Sequence, residues 1–271
     1  MKIRSICLTK NEADVVEECL TDAARWSDRI YVYDGASTDG TWEKVQAMAA
    51  QNGRIVAWKS DGCVFREGLR AEVFNAFRDE CADGDWWCQL NADEFYVQDV
   101  RQFLAGVPKS EHVVWGLNIQ YYLTPEDVEG EPFAGEFHRD RDRIRYYKAA
   151  CAERRFFRHR AGLQWRESDA WPHHLGVTHL ELLHFRHYPY RSPQQIQTRL
   201  DVRRDNRARG FEGWDHAKEL TWQTKIVPRA DLHLDAGDGK FIIEEENLRQ
   251  HLEPVSQRVV KRIMHGVRIW P

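Results

Sequence analysis

Over the first ninety residues, short apolar runs alternate with stretches of helical periodicity, and that alternation leaves few folds open. Residues 2–9 (KIRSICLT) read as a strand. Residues 12–26 place Val15, Val16, Cys19, Leu20 and Ala23 at helical spacing, with Asn11 positioned as the cap. Residues 29–33 (RIYVY) form a second strand, and the turn DGASTDG leads into a helix over 41–51, closed by Asn52-Gly53. A third strand at 54–59 (RIVAWK) and a helix over 67–81, apolar at Leu69, Val73, Ala76 and Phe77, precede a strand at 86–90. Successive strand–helix–strand units require parallel strands joined by right-handed crossovers. In such sheets the ligand crevice opens beyond the carboxyl ends of the strands. Lys10-Asn11-Glu12, Asp34-Gly35 and Asn91-Ala92-Asp93-Glu94 all stand at strand ends, so they are expected to converge in space.

Past residue 100 the pattern loosens. Residues 112–123 (HVVWGLNIQYYL) predict a long aromatic strand, with an antiparallel course as one option. Residues 124–150 read as a charged loop rich in Pro and Gly, and 153–158 and 181–185 as short strands. Helices are expected over 192–208, around 214–224, and over 254–265.

Bulk properties narrow the class. A net charge of −4 and 30% charged residues argue against a partner bound through overall charge, so no nucleic acid is expected. No apolar run reaches about 18 residues, so no transmembrane segment is predicted. The start, MKIRSICLTKNEAD, turns charged too soon for a signal peptide. All six cysteines fall within the first 151 residues, without a CxxC pair, and read as buried thiols in a reducing compartment. The expected location is cytoplasmic. The eleven Trp serve either a core or flat apolar faces for sugars and bases.

The apolar run Trp86, Trp87, Cys88, Leu90 stops abruptly at Asn91-Ala92-Asp93-Glu94. Adjacent carboxylates repel, and folding gains nothing from them at the mouth of a buried strand. They can hold a hard divalent ion, which in turn neutralises a diphosphate. The competing reading is a solvated turn opening a helix at 97–104. In DGASTDGT (34–41), Asp34 ends an apolar strand, Gly35 and Gly40 permit tight backbone geometry, and Ser37, Thr38 and Asp39 can cap the next helix. A strand-end carboxylate there also suits hydrogen bonds to a base or ribose. Neither GxGxxG nor GxxxxGK[ST] occurs, so dinucleotide and P-loop readings lack their glycine cradle and lysine.

In combination, a first strand ending in KNE, then DGASTDGT, then a strand ending in NADE, resembles the GT-A-fold glycosyltransferases of the family-2 type. The resemblance covers residues 1 to about 100. It implies an α/β, Rossmann-like GT-A fold with a mixed sheet, and sugar transfer from a nucleotide-diphosphate sugar with inversion. It also implies that Glu12 and Asp34 face the nucleoside and that Asp93 is the metal-binding end of a DxD-type motif. Thr9, Asn11 and Asn91 join the expected donor-binding set, and Arg70 is placed to reach the diphosphate. The motif's usual first Asp is Asn91 here, which brings no charge.

The segment HHLGVTHLELLHFRHYPYRSPQQ (173–195) carries five histidines, His173, His174, His179, His184 and His187. Neutral imidazole is a common metal ligand, although each of these taken alone is equally a hydrogen-bonded structural residue. His187-Tyr188-Pro189-Tyr190-Arg191-Ser192 resembles an H-[FY]-P-x-R-S motif in a subset of the same family. A C-terminal histidine closing the family's metal site implies His187 as second ligand, with His184 next, for Mn2+ or Mg2+. Inverting transfer also needs a base on the acceptor hydroxyl. Asp169, then Glu167, in LQWRESDAWPHH fit that role, with Trp165 and Trp171 as a platform for a sugar ring; a plain exposed turn is the equal alternative.

In residues 139–166 the alternating R-D-R-D-R reads as a solvated, self-paired surface, whereas Lys148, Arg154, Arg155 and Arg158 are less balanced and are candidates to meet donor phosphates or an anionic acceptor. The terminal helix, apolar at Val255, Val259 and Ile263, is expected to pack on the domain, with peripheral membrane contact as the alternative. The expected organisation is a catalytic domain over 1–190 and a helical extension over 191–271. Within the domain, residues 1–100 form the nucleotide-sugar half and 101–190 the acceptor half. The donor is a nucleotide-diphosphate sugar and the acceptor a carbohydrate or a lipid-linked molecule. Two rivals stand beside this reading: a sugar nucleotidyltransferase, and a non-catalytic carbohydrate- or partner-binding module on a degenerate fold.

Overall fold

The structure, a computed structural model, describes residues 1–211 and 220–271. The expected alternation is present: β1 (Ile3–Thr9), α1 (Val16–Trp26), β2 (Arg29–Asp34), α2 (Thr41–Gln51), β3 (Ile55–Ser60), α3 (Leu69–Phe77) and β4 (Trp86–Asn91). Next come β5 (Glu94–Tyr96), α4 (Val100–Gly106), β6 (Val113–Tyr122), the short helices α5 (Pro125–Glu129) and α6 (Phe137–Asp140), and the 13-residue β7 (Tyr146–Arg158). β8 (Leu183–His187), α7 (Pro193–Ala208), β9 (His233–Leu234), α8 (Glu245–Arg249) and α9 (Val255–Gly266) follow.

Strands β3, β2, β1 and β4 pair in parallel in that order. β7 adds to β4 and β6 to β7, both antiparallel; β8 then pairs with β6 in parallel, and β5 with β8 antiparallel. β9 pairs with β7, so the segment beyond residue 190 also contributes to the sheet. The result is an α/β fold with a mixed sheet. β4 and β5 stand four places apart in this order, yet only Ala92 and Asp93 join them. A link that short reaches about 10 Å, so the sheet curls until β5 stands by the end of β4. That curl brings β8 to the parallel strand ends.

Neighbouring residues on a strand point to opposite faces, and Trp86 and Trp87 show it. Trp86 packs with Leu20, Val32, Leu90 and Leu104 on the α1 and α4 side, whereas Trp87 packs with Tyr31, Phe74, Phe157 and Trp165 on the α3 side. Burial of each such side chain contributes about 2–3 kcal/mol to holding both layers on the sheet.

Several elements differ from expectation. α1 starts at Val16, because Asn11 takes a left-handed backbone (φ 55°) and accepts from Thr38 N through its side chain at 2.9 Å. It braces the neighbouring turn instead of capping the helix. α3 ends at Phe77 and continues as a single 3-10 turn. The helix expected at 97–104 begins at Val100, where the Asp99 side chain accepts from Gln102 N at 2.9 Å. The supposed loop 124–150 holds α5, opened by a Thr124–Asp127 capping box with Pro125 in the first turn, then α6 and the start of β7. Of the helix expected around 214–224, residues 212–219 lie outside the described residues, and Trp222–Lys225 is a 3-10 turn.

Candidate active site

Asp93 and Glu94 are each 2% exposed, so the solvated-turn reading of NADE does not hold. β5 opens with Glu94, directly opposite His187 of β8, and Tyr188 N donates to the Asp93 carbonyl at 3.0 Å. This pairing brings one ligand atom each from Asp93, Glu94 and His187 within 4.8 Å of one another.

Two ion-paired networks meet at this point. On one side Arg155 donates to Glu94 Oε1 at 2.6 Å and to Glu153 Oε2 at 2.9 Å. On the other, Arg191 holds Asp14, Glu12 and the Tyr188 carbonyl, while Arg199 Nη1 donates to Asp93 Oδ2 at 2.9 Å and Glu12 Oε1 at 3.0 Å. These groups comprise five carboxylates and three guanidiniums, and Arg70 reaches the same cluster through Asn91. Burial alone would raise the Asp93 carboxyl, but His187, Arg199 and Arg191 hold it well below the usual carboxylate range. Burial pushes the Glu94 carboxyl up despite Arg155. Burial also works against the charged form of Glu153, yet Arg155 and His187 keep it below its ordinary value.

The donor set fits a hard or borderline divalent cation. His187 Nε2 is buried and 3.3 Å from Asp93 Oδ2, yet among the described residues it has no hydrogen-bond partner. His187 Nδ1 is 3.2 Å from the Asn118 amide nitrogen, and the amide oxygen Oδ1 has no partner. The same Nδ2 donates to Glu153 Oε1 at 3.3 Å, so Asn118 links the imidazole to that carboxylate. Glu94 is engaged by Arg155 and Asn91 and Asp93 Oδ2 by Arg199, so His187 is the freest donor of the three.

A cavity of about 280 Å³ opens against this group, lined among others by Thr9, Lys10, Asn11, Glu12, Gly35, Arg70, Asn91, Asp93, Glu153 and Arg199. Thr9 Oγ1 is buried there without a partner among the described residues. Arg70 donates to Asn91 Oδ1 at 2.9 Å, and Asn91 Nδ2 donates to Glu94 Oε1 at 2.8 Å. Asn91 thus relays between a cation and a carboxylate. Asp34 is fully buried but outside the lining: its carboxylate accepts from Ser37 N and Ser60 Oγ, both at 2.8 Å. It shapes the turn that presents Gly35, and Lys10 Nζ pins the same turn through the Gly35 carbonyl at 2.7 Å.

His184 is three residues before His187 on β8 and therefore projects from the opposite face, where its ring lies 6.4 Å from Phe241. It does not join the metal-ligand group. Asp169 pairs with His173 Nε2 at 2.7 Å, and Glu167 with Arg66 at 2.7 Å; neither lines the cavity. Their loop reaches the site through Gln89, which donates to the Ala170 carbonyl at 3.3 Å. The hydrogen bond from His173 holds the Asp169 carboxyl below its ordinary value. Trp165 is a core residue, 2% exposed and stacked on the partly buried Trp171, so only Trp171 is placed to offer a face. Of the basic residues expected at phosphates, Arg155 lies in the site. Arg154 lies over Trp115, Arg158 over Trp86, and Lys148 is exposed.

Glu153, Arg191 and Arg199 escaped sequence reasoning as site residues. Arg191 had a visible signal, its place in HYPYRS; Arg199 is one of several arginines on α7, and nothing in the sequence separates it from the others.

No curated protein matches the chain. Among solved structures it is similar to the mannosyltransferase PcManGT from Pyrobaculum calidifontis in complex with GDP-Man and Mn2+, at 22% identity over 42% of this chain and 34% of that one, with a TM-score of 0.32. It is also similar to S. aureus TarS, at 18% identity over 49% of this chain and 23% of that one, TM-score 0.30. For TarS 1-349 the identity is 12% over 74% and 65%, TM-score 0.35. The chain therefore spans less than two thirds of the length of each. The family model described as Glycosyl transferase family 2 matches residues 6–152, more than half of the chain, from β1 into β7. That span contains all three strand-end motifs and the Asp93-Glu94 pair. By this match, and with its GT-A-like α/β fold, the chain belongs to glycosyl transferase family 2.

Proposed function

We propose that the chain is a metal-assisted, inverting glycosyltransferase that moves a sugar from a nucleotide-diphosphate donor to an acceptor hydroxyl of a carbohydrate or lipid-linked molecule. The observation that carries this reading is the meeting of Asp93, Glu94 and His187 at the carboxyl ends of the parallel strands, beside the cavity. A Mn2+ or Mg2+ held by Asp93 and His187 supplies charge neutralisation for the diphosphate and the departing nucleotide. The chain's own residues do the rest. Arg70 and Arg199 present guanidiniums to the cavity, where phosphate oxygens can accept from them. Thr9, Asn11 and Glu12 line the part nearest the Gly35 turn and orient the nucleoside. Asp34 acts through that turn.

The base is assigned to Asp169, oriented by His173, on the loop that Gln89 ties to the strand end. Glu153 is the competing carboxylate, because it lines the cavity and Asp169 does not. Asp169→Asn should lower transfer roughly 10²- to 10⁴-fold while leaving nucleotide binding intact. If Glu153→Gln has that effect and Asp169→Asn does not, the base is Glu153.

The reading as a whole is tested with manganese and a panel of nucleotide-sugars. Slow donor hydrolysis and transfer are expected, and Asp93→Ala should abolish both; an unimpaired variant would remove the metal role. Pyrophosphate chemistry would point to nucleotidyl transfer. Binding without turnover would point to a carbohydrate-binding module.

A further inference from the structure

Helix α9 presents its polar side to the protein and its apolar side to solvent. Val255, Val259, Ile263 and Val267 recur every four residues and form one stripe, with Val260 beside it. All five are exposed, from 47% at Val259 to 77% at Val255. Leu252 and Ile269, exposed as well, extend the patch at either end. Arg258, Lys261 and His265 face inward. Arg258 donates to Glu111 Oε1 at 2.7 Å and to the Thr178 carbonyl, Lys261 pairs with Glu253, and the His265 ring lies 4.5 Å from His112. The helix packs on the domain, as expected, but through its charged side, and leaves its hydrophobic face open.

The segment's own charge is of one sign. Residues 254–271 contain Arg258, Lys261, Arg262 and Arg268, and no Asp or Glu. Arg268 is exposed beside the stripe, and Arg262, half-exposed there, reaches Glu111 Oε1 only at 3.7 Å, a carboxylate already held by Arg258. In a two-fold pair formed through this face, residues 254–271 of one copy would offer no carboxylate to the arginines of the other. An anionic lipid leaflet answers both features, since its acyl boundary accepts the apolar stripe and its phosphates accept from arginine.

We propose that α9 and residues 267–269 form a membrane-surface element that docks the chain on anionic lipid. The valine–isoleucine stripe enters the headgroup–acyl boundary, and Arg262 and Arg268 meet the headgroup phosphates. This does not depend on the glycosyltransferase reading, because none of these residues lines the cavity.

The test is cosedimentation of the full chain with vesicles of phosphatidylcholine, with or without phosphatidylglycerol. Binding to the anionic vesicles, weakened by salt, is expected. Val259→Glu/Ile263→Glu should reduce it about tenfold or more, and Arg262→Glu/Arg268→Glu should remove the preference for anionic lipid. The first variant should keep the parent's urea midpoint, since both altered side chains are exposed; the second should lower it only slightly, because Arg262 is half-exposed and 3.7 Å from Glu111, which keeps Arg258 at 2.7 Å. A folded chain that binds neither vesicle overturns the proposal. A concentration-dependent dimer in light scattering, lost in Val259→Glu/Ile263→Glu and without vesicle binding, assigns the face to a second copy and overturns it too.

Discussion

Arg199 of α7 places its guanidinium 2.9 Å from Asp93 Oδ2, the carboxylate proposed to hold the metal, and shares itself with Glu12 at 3.0 Å. A fixed positive charge at that distance opposes a second cation. Arg199→Ala should therefore tighten Mn2+ binding in the absence of nucleotide, roughly 5- to 50-fold, and weaken binding of the nucleotide-sugar. Calorimetric titration of both ligands checks this; unchanged or weaker Mn2+ affinity would show that the guanidinium does not compete with the ion.

Arg155 and Glu94 form a pair with side chains 4% and 0% exposed. Arg155→Met removes the countercharge and leaves a buried carboxyl that burial already pushes upward. The loss should be about 3–5 kcal/mol in urea unfolding, much larger than for an exposed pair such as Arg204–Asp201. A loss under about 1 kcal/mol would mean that Glu94 is neutral, or finds another partner, in the variant.

Gly68 has ordinary helical backbone angles (φ −68°, ψ −6°), so conformation does not demand glycine there. Space does: an added Cβ would stand 1.8 Å from the Glu167 carbonyl oxygen. Gly68→Ala must push the Glu167–Asp169 loop outward, at a cost of about 1–3 kcal/mol. If that loop carries the base, transfer should fall more steeply than donor binding, which separate kcat and KM measurements resolve.

His112 is held down to about 3 from 6.5, chiefly by burial and then by Arg160 and His265. Its Nδ1 accepts from Val177 N at 3.3 Å, a bond the protonated ring cannot make. Below the unfolded value near 6.5, the unfolded chain takes up a proton that the folded chain refuses until about 3. Stability should therefore fall as pH drops through that window. His112→Asn should flatten part of the slope in urea midpoints measured between pH 7 and about 4; an unaltered slope would assign the acid sensitivity to other groups.

Much of the first half was legible in the residues. Periodicity announced the strands and helices up to β4, because a buried parallel strand and an amphipathic helix each need a particular spacing of apolar side chains. Strand-end motifs were legible for the same reason, since polar residues after an apolar run mark where a strand leaves the sheet. Reading failed where side chains serve a partner distant in sequence. Asn11 had the chemistry of a cap, yet its side chain accepts from Thr38. Asp34 had the look of a ligand-facing carboxylate, yet Ser37 and Ser60 hold it.

Local pattern determined the α/β alternation, the strand-end positions of Glu12, Asp34 and Asp93, and the amphipathic character of α9. Pairing between distant segments decided the rest. His187 meets Asp93 because β5 pairs antiparallel with β8 across a curled sheet, and the odd spacing along β8 turns His184 away. Arg199 reaches Asp93 only because α7 packs over those strand ends. The side of α9 that faces inward was settled by Glu111, a carboxylate just before β6 that binds Arg258. Periodicity records which residues share a face; it holds no information on which faces and strand edges the folded chain brings together, because that depends on closing loops over long stretches of chain.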